Sequence, residues 1–229
     1  MFKLLTWNIL HKDFVQDDKF LNWDERFTLI KKMIDSVDAD IICLQEVDLD
    51  NIDEFKQFGN IVYQDDKRRI KAYNKWKMEE SKKPNTSVLA IITKGEILSH
   101  EVGSRTLSAK IRMNGMELTV SNVHLETKRI ATYELQRKHI DKLLKSDIIC
   151  GDFNDFPDSE IIQYMEQTYG KSIYNDRFPI TFVGQNNWCL DYVFSKYNIV
   201  EYTIDPIIYM LKDGIYPSDH ARVVVELGF

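Results

Sequence analysis

Two short apolar runs, Ile41-Ile42-Cys43-Leu44 and Ile148-Ile149-Cys150, constrain this chain more than any other feature. Neither alternates with polar residues, and each reads as a central strand covered on both faces. The stretch WDERFTLIKKMIDSV, ahead of the first run, places Phe27, Ile30, Ile34 and Val37 at helical spacing. Residues 128–145, ahead of the second, place Ile130, Tyr133, Ile140 and Leu144 roughly on one stripe. Amphipathic helices leading into doubly covered strands require a layered α/β arrangement.

The β pattern is clearest over 105–125. Leu107, Ala109, Ile111 and Met113 alternate with Thr106, Ser108, Lys110 and Arg112, and Asn114-Gly115 is a two-residue type I′ hairpin signal. On the return strand Met116, Leu118, Val120, Asn122 and His124 share one face, because the side-chain period is two. FKLLTWNI (2–9), TSVLAIITK (86–94) and the segments 189–195, 199–204 and 222–227 read as further strands, and 158–168 as a helix. Residues 65–85 read as a long polar excursion. No linker rich in Pro, Gly or Ser divides the chain, so 1–229 reads as one domain. Strands outnumber helices and hairpins mix with helical crossovers, which predicts two packed sheets with helices outside. DADIICLQE (38–46) and KSDIICGD (145–152) echo each other, each with a carboxylate just past an Ile-Ile-Cys strand. A two-fold pseudo-repeat and a chance likeness of two central strands both account for this.

With 229 residues, 44% of them hydrophobic, the chain can bury a large core without a metal or disulfide. Cys43, Cys150 and Cys189 are odd in number and show no CxxC spacing, which argues against a zinc ribbon or redox pair. They suit a reducing, intracellular compartment, cytoplasmic or nuclear. Met1-Phe2-Lys3 leads straight into a strand, so no signal peptide is expected, and no run of 18 apolar residues marks a transmembrane helix. The net charge of −6 argues against coating duplex nucleic acid by bulk electrostatics. Yet residues 67–83 carry eight Lys/Arg against Glu79 and Glu80, so this segment is +6 and the remainder −12. Within it Lys71, Lys75 and Lys77 interleave with Tyr73 and Trp76, the cations and rings of a single-strand binding surface. A solvated loop explains the same residues. No apolar anchor sits beside them, which argues against a membrane partner. Nothing points to an obligate protein partner.

The functional pattern lies where polar residues interrupt the strand ends. Asn8 ends the first strand, Gln45-Glu46 the second and His124 the hairpin, while Asp152 and Asn154 follow the Ile-Ile-Cys run at 148–150. Asp191 sits between Leu190 and Tyr192-Val193-Phe194, and Ser218-Asp219-His220 precedes ARVVVEL. Singly, each has a plainer reading: a strand-end backbone bond, a solvated acid, an Asx-type turn, a packed core histidine. Asp191 is the hardest to dismiss, because a buried carboxylate needs a partner or a metal. Together, four acids, two histidines and two asparagines have the parts for metal-assisted phosphoryl chemistry. Oxygen ligands suit Mg²⁺ or Mn²⁺, a carboxylate can take a proton from water, and imidazole and amide donors can stabilise phosphoryl charge. Trp188 and Phe182, near Asp191, read either as a stacking platform or as core.

The motifs TWNIL, LQEVD, VHLE, GDFND, LDYVF and PSDH, in this order from Asn8 to His220, resemble those of the endonuclease/exonuclease/phosphatase superfamily. The WNIL form, the helix with Trp23 and Arg26, and IICLQEVD look most like its deadenylase and RNA-phosphodiesterase branch. The resemblance implies a four-layer α/β sandwich with the site at one end of both sheets. It implies Glu46 as principal metal ligand, assisted by Asn8, which could also hold the phosphate. Asp152 would orient or deprotonate water, and Asn154 would contact the scissile phosphate. Asp191 would buttress the site, Asp219 would orient His220 or approach the metal, and His124 and His220 would bind non-bridging oxygens. Leu10 departs from the pattern: some DNA-repair members have an acid there, so a second ligand near Glu46 is in doubt.

The activity expected is a Mg²⁺-dependent phosphodiesterase, with Mn²⁺ as substitute, acting on RNA or an oligonucleotide, 3′ exonuclease action being one form of it. The alternatives are a DNA-end or abasic-site phosphodiesterase and an enzyme for a small phosphorylated molecule. A catalytically inactive binding module would have no reason to keep Glu46, Asp152, Asn154, Asp191 and His220.

Overall fold

The structure, a computed structural model, describes residues 1–14, 22–65, 71, 75, 86–127, 132–170, 179–184, 186–207 and 216–228. In chain order its elements are β1 (Phe2–Asn8), α1 (Trp23–Asp35), β2 (Ile41–Asp48), β3 (Asn60–Tyr63), β4 (Ser87–Thr93), β5 (Glu96–Val102), β6 (Thr106–Met113) and β7 (Met116–His124). There follow α2 (Tyr133–Ile140), β8 (Ile148–Asp152), α3 (Glu160–Tyr169), β9 (Phe182–Val183), β10 (Asn187–Trp188), β11 (Asp191–Ser195), β12 (Asn198–Ile204) and β13 (Val223–Gly228). One sheet runs β12-β13-β1-β2-β4-β3, and the other β11-β8-β7-β6-β5.

Alternation along the central strands explains the layers. In β1 and β2, Leu4, Ile41 and Cys43 pack toward the second sheet, with Leu107, Val120 and Cys150. Leu5, Trp7, Ile42 and Leu44 face the other way, against Phe27, Ile30 and Ile34 of α1. Ile140 of α2 and Ile161, Ile162 and Met165 of α3 join the core of the second sheet. The fold is thus an α/β sandwich of two mixed sheets flanked by helices. Asn22 caps α1 by accepting from the Glu25 N–H at 3.1 Å. Among the described residues no helix is long and apolar enough to cross a membrane. All three cysteines are buried and free.

The Ile-Ile-Cys echo falls at matching places. In β13-β1-β2-β4 and in β6-β7-β8-β11 the three successive pairings are antiparallel, parallel, antiparallel. Asn8 lies opposite Gln45 in one parallel pair, and His124 opposite Asp152 in the other. Glu46 is three residues past Cys43, whereas Asp152 is two past Cys150. The extra residue is a β-bulge: between Leu44↔Ala90 and Val47↔Val88, Gln45 and Glu46 together oppose one residue of β4. Glu46 adopts φ +60° there. In the second sheet Gly151 (φ +134°) must be glycine, since a Cβ would meet the Val123 carbonyl oxygen at 2.1 Å. Asn114 and Gly115 adopt φ +51° and +79°, as a type I′ hairpin requires.

The structure also differs from the sequence pattern. β3 and β5, the outer strands on one side of the sandwich, carry no apolar alternation: β5 is EILSHEV, mostly exposed, so burial does not mark it. The first helix stops at Asp35, before Val37. The second begins at Tyr133 and gives way to a 3-10 turn at Asp141–Leu143; Ile130 lies outside the described residues.

Candidate active site

Parallel pairing in both sheets brings the ends of β1, β2, β7 and β8 to one rim. β11 adds Asp191, in register with Asp152, and the turn before β13 adds Asp219 and His220. Asn8 sits at the centre. Its Nδ2 donates to Glu46 Oε1 and to Asp152 Oδ2, both at 3.1 Å, and its Oδ1 accepts from the Leu10 N–H at 3.1 Å. These three bonds fix the amide with its nitrogen toward the carboxylates, so its oxygen points away from the gap between them.

Asp152 is buried. Its Oδ1 accepts from the Asn154 N–H at 2.8 Å, and its Oδ2 lies 3.6 Å from Nε2 of both His124 and His220. His124 Nε2 is also 3.8 Å from Glu46 Oε1. Asn154, at φ +51°, donates its side-chain amide to the Leu125 carbonyl at 2.9 Å. Asp191 Oδ2 meets His220 Nδ1 at 2.9 Å, so the orienting partner of this imidazole is Asp191. Thr181 Oγ1 accepts from the Leu190 and Asp191 N–H groups, and the Trp7 indole donates to the His220 carbonyl at 2.8 Å. Burial pulls the His220 imidazole down, but Asp191, Asp152 and Asp219 outweigh it and hold its pKa well above the ordinary value. This setting favours the imidazolium form, which would place Nδ1–H on Asp191 and Nε2–H toward the gap.

Asp219 behaves oppositely. Burial, reinforced by Glu46 and Asp152, pushes its carboxyl up to about 6 against the pull of His220. Its buried Oδ1 has no hydrogen-bond partner among the described residues. A raised carboxyl stabilises the fold below its unfolded pKa of 3.8 and loses that contribution as pH rises through 6. Asp219→Asn, which cannot ionise, should therefore gain on wild type between pH 4 and 7 in chelator, by up to about 3 kcal/mol. Parallel stability curves for the two metal-free proteins in urea would refute this. Three carboxylates around one imidazolium, with an orphaned oxygen among them, fit a hard divalent cation. Asp152, Asp191 and His220 also lie within 4.8 Å of one another, but a protonated imidazole has no lone pair for a metal, so this trio is a charge-paired group beside the cation rather than its ligand set.

Three supports have no role assigned to them by the sequence pattern. Arg26 is a fully buried guanidinium that donates to the carbonyls of Pro217, Ile9 and Leu10, joining α1 to both loops of the site. Burial lowers it to about 10, against the pull of Asp219 and Glu46. Its signal was an arginine one turn before Ile30 on the apolar stripe of α1. Gln45 and Asn122 join the two sheets, Nε2 to Oδ1 at 2.7 Å, and Asn122 also donates to the Leu44 and Ala90 carbonyls. An amide on the apolar face of β7 was the visible clue. His11 donates its backbone N–H to Glu46 Oε2 at 2.9 Å, and no pattern in the sequence marks it.

Beside His220, Phe182 (ring centroids 4.9 Å apart) stacks on Trp188, which meets Phe156 edge-on; all three rings are partly exposed. Lys71 and Lys75 are helical and exposed, while Tyr73, Trp76 and Lys77 lie outside the described residues.

Solved structures share this fold over nearly its whole length. An endonuclease/exonuclease/phosphatase from Bacteroides vulgatus superposes with TM-score 0.74 at 17% identity, covering 100% of this chain and 98% of that one. ANGEL2, described as a 2′,3′-cyclic phosphatase, gives 0.73 at 17% (99% and 94%). The human Nocturnin catalytic domain with bound sulfate gives 0.70 at 19% (100% and 93%). No curated protein matches by sequence. The sequence profile of the Endonuclease/Exonuclease/phosphatase family matches residues 5–220, the span from β1 to His220 that builds the rim, and the chain belongs to that family of phosphoester hydrolases.

Proposed function

We propose that the protein is a Mg²⁺-dependent phosphodiesterase, with Mn²⁺ as substitute, that hydrolyses RNA or an oligonucleotide by attack of activated water. The observation that carries this is the meeting of Glu46, Asp152, His124 and His220 around Asn8, with the orphaned carboxyl oxygen of Asp219 in the same buried cluster. Glu46 and Asp219 would hold the cation, which supplies Lewis-acid polarisation of the phosphoryl oxygens when bound.

Asp152 is held on both oxygens, by Asn154 and Asn8, and takes the proton of the attacking water. The water oxygen bonds to phosphorus as the ester bond to the leaving oxygen breaks. His220, kept cationic and aimed by Asp191, donates Nε2–H to a non-bridging oxygen; His124 contributes its Nε2 from the other side. Asn154 contacts the scissile phosphate from the turn after β8. Phe182, Trp188 and Phe156 offer ring faces beside His220 for a base, and Lys71, Tyr73, Lys75, Trp76 and Lys77 carry the cation-and-ring pattern proposed to bind the same nucleic acid. The three buried thiols suit a reducing, intracellular setting.

Incubation with single-stranded RNA, single-stranded DNA, an abasic duplex and a generic phosphodiester, each with Mg²⁺, Mn²⁺ or EDTA, tests this reading. The expected result is RNA-selective cleavage that EDTA stops. Cleavage of the abasic duplex alone would replace the reading with a DNA-repair activity. Cleavage of the generic ester alone would replace it with small-molecule chemistry.

A further inference from the structure

His11, Asp13 and Asp48 form a second group with ligand atoms within 4.8 Å of one another, and its connections show a brace rather than an ion site. Lys12 Nζ already stands 2.9 Å from Asp48 Oδ2, where a cation would sit. Both nitrogens of the buried His11 ring are engaged. The Asp13 N–H donates to Nδ1 at 3.2 Å, so Nδ1 is an acceptor and the ring proton is on Nε2. Nε2 faces Asp48 Oδ2 at 3.1 Å and Thr86 Oγ1 at 3.0 Å. Asp48 Oδ1 is tied separately, to the Asp50 N–H at 2.9 Å.

The brace spans the strand pair that carries the bulge. Asp48 is two residues past Glu46 on β2, Thr86 directly precedes β4, and Leu49 N–H donates to the Thr86 carbonyl. It therefore anchors the loop leaving β1 to the segment that presents Glu46. Leu10 and Glu46 both adopt left-handed backbone, at φ +56° and +60°. Such residues cost of order 1–3 kcal/mol each and persist only where the surroundings over-determine them. The His11 N–H meets Glu46 Oε2, while Oε1 faces Asn8 and His124.

We propose that His11 is a positioning residue: its ring, set against Asp48 and Thr86, fixes the backbone amide that occupies Glu46 Oε2, so Glu46 offers only Oε1 to a divalent cation. This rests on the reading of Glu46 as a ligand. Without the brace the amide drifts and the carboxylate swings between orientations, so metal affinity falls before the chemistry does. Outer partners of metal ligands typically contribute roughly 10–100-fold in affinity.

The test is titration of the metal-free, 229-residue protein with Mn²⁺, followed by calorimetry. His11→Leu should weaken binding at least about tenfold. His11→Gln, whose amide reaches the Nε2 position, should recover most of it. Thr86→Val, a milder change should His11→Leu fail to fold, should fall between wild type and His11→Leu. At saturating Mn²⁺ the turnover of Thr86→Val should match wild type. Thr86→Val with wild-type Mn²⁺ affinity overturns the proposal, as does equal loss in His11→Leu and His11→Gln, which would mark the ring as packing alone. Wild type that binds no Mn²⁺ overturns the metal reading itself, a distinct outcome.

Discussion

Asp152→Asn should lower turnover by roughly 10²–10⁴, the usual scale for general base catalysis. The substitution is close to isosteric, so its cost reads out chemistry rather than folding. The carbonyl oxygen of the new side-chain amide can still accept from the Asn154 N–H. Its NH2 would then face the Asn8 amide and two imidazole nitrogens where Oδ2 now accepts. No group at that point could then take a proton from water. The measurement is kcat on the preferred substrate under saturating Mg²⁺, with folding checked by circular dichroism. A rate within about threefold of wild type would remove Asp152 from the mechanism.

His220→Ala should lower kcat by about 10²–10³ while leaving KM within a few-fold, because the lost donor acts on charge that grows during the reaction. The ring is held by Asp191 on one side and points at Asp152 on the other, and its backbone carbonyl is fixed by Trp7. Removing the side chain also leaves Asp191 a buried carboxylate without its imidazolium, so some stability should be lost. Asp191→Asn separates the two effects: it keeps the ring in place but withdraws the charge that keeps it protonated. That variant should lose less rate than His220→Ala and shift the alkaline limb of the pH–rate profile downward. A KM-only defect in His220→Ala would make His220 a binding group, not a stabiliser of the transition state.

Much of this arrangement is legible in sequence because its residues sit where apolar strands stop. Asn8, Glu46 and Asp152 interrupt runs that would otherwise continue, and Asp191 breaks into one. Period-two alternation alone places His124 on the face of Leu118 and Val120, and the structure shows it opposite Asp152. What stays hidden depends on tertiary geometry. A bulge at Gln45-Glu46 has no compositional mark, since neither residue is glycine. The partner of His220 could be chosen only once β11 lay beside β8, which sets Asp191 rather than Asp219 against its ring. His11 acts through its backbone, and a backbone amide has no sequence signal. An edge strand such as β5 is mostly exposed, so it has no apolar alternation to mark it.

The sheet order has an implication for timing. β1 precedes β13 by most of the described chain, yet the two lie antiparallel side by side, and His220 arrives just ahead of β13. A nascent chain thus has an unpaired hydrogen-bonding edge along β1, and an incomplete rim, until β13 has emerged. The cluster around Asn8 is therefore complete only once β13 has docked against β1.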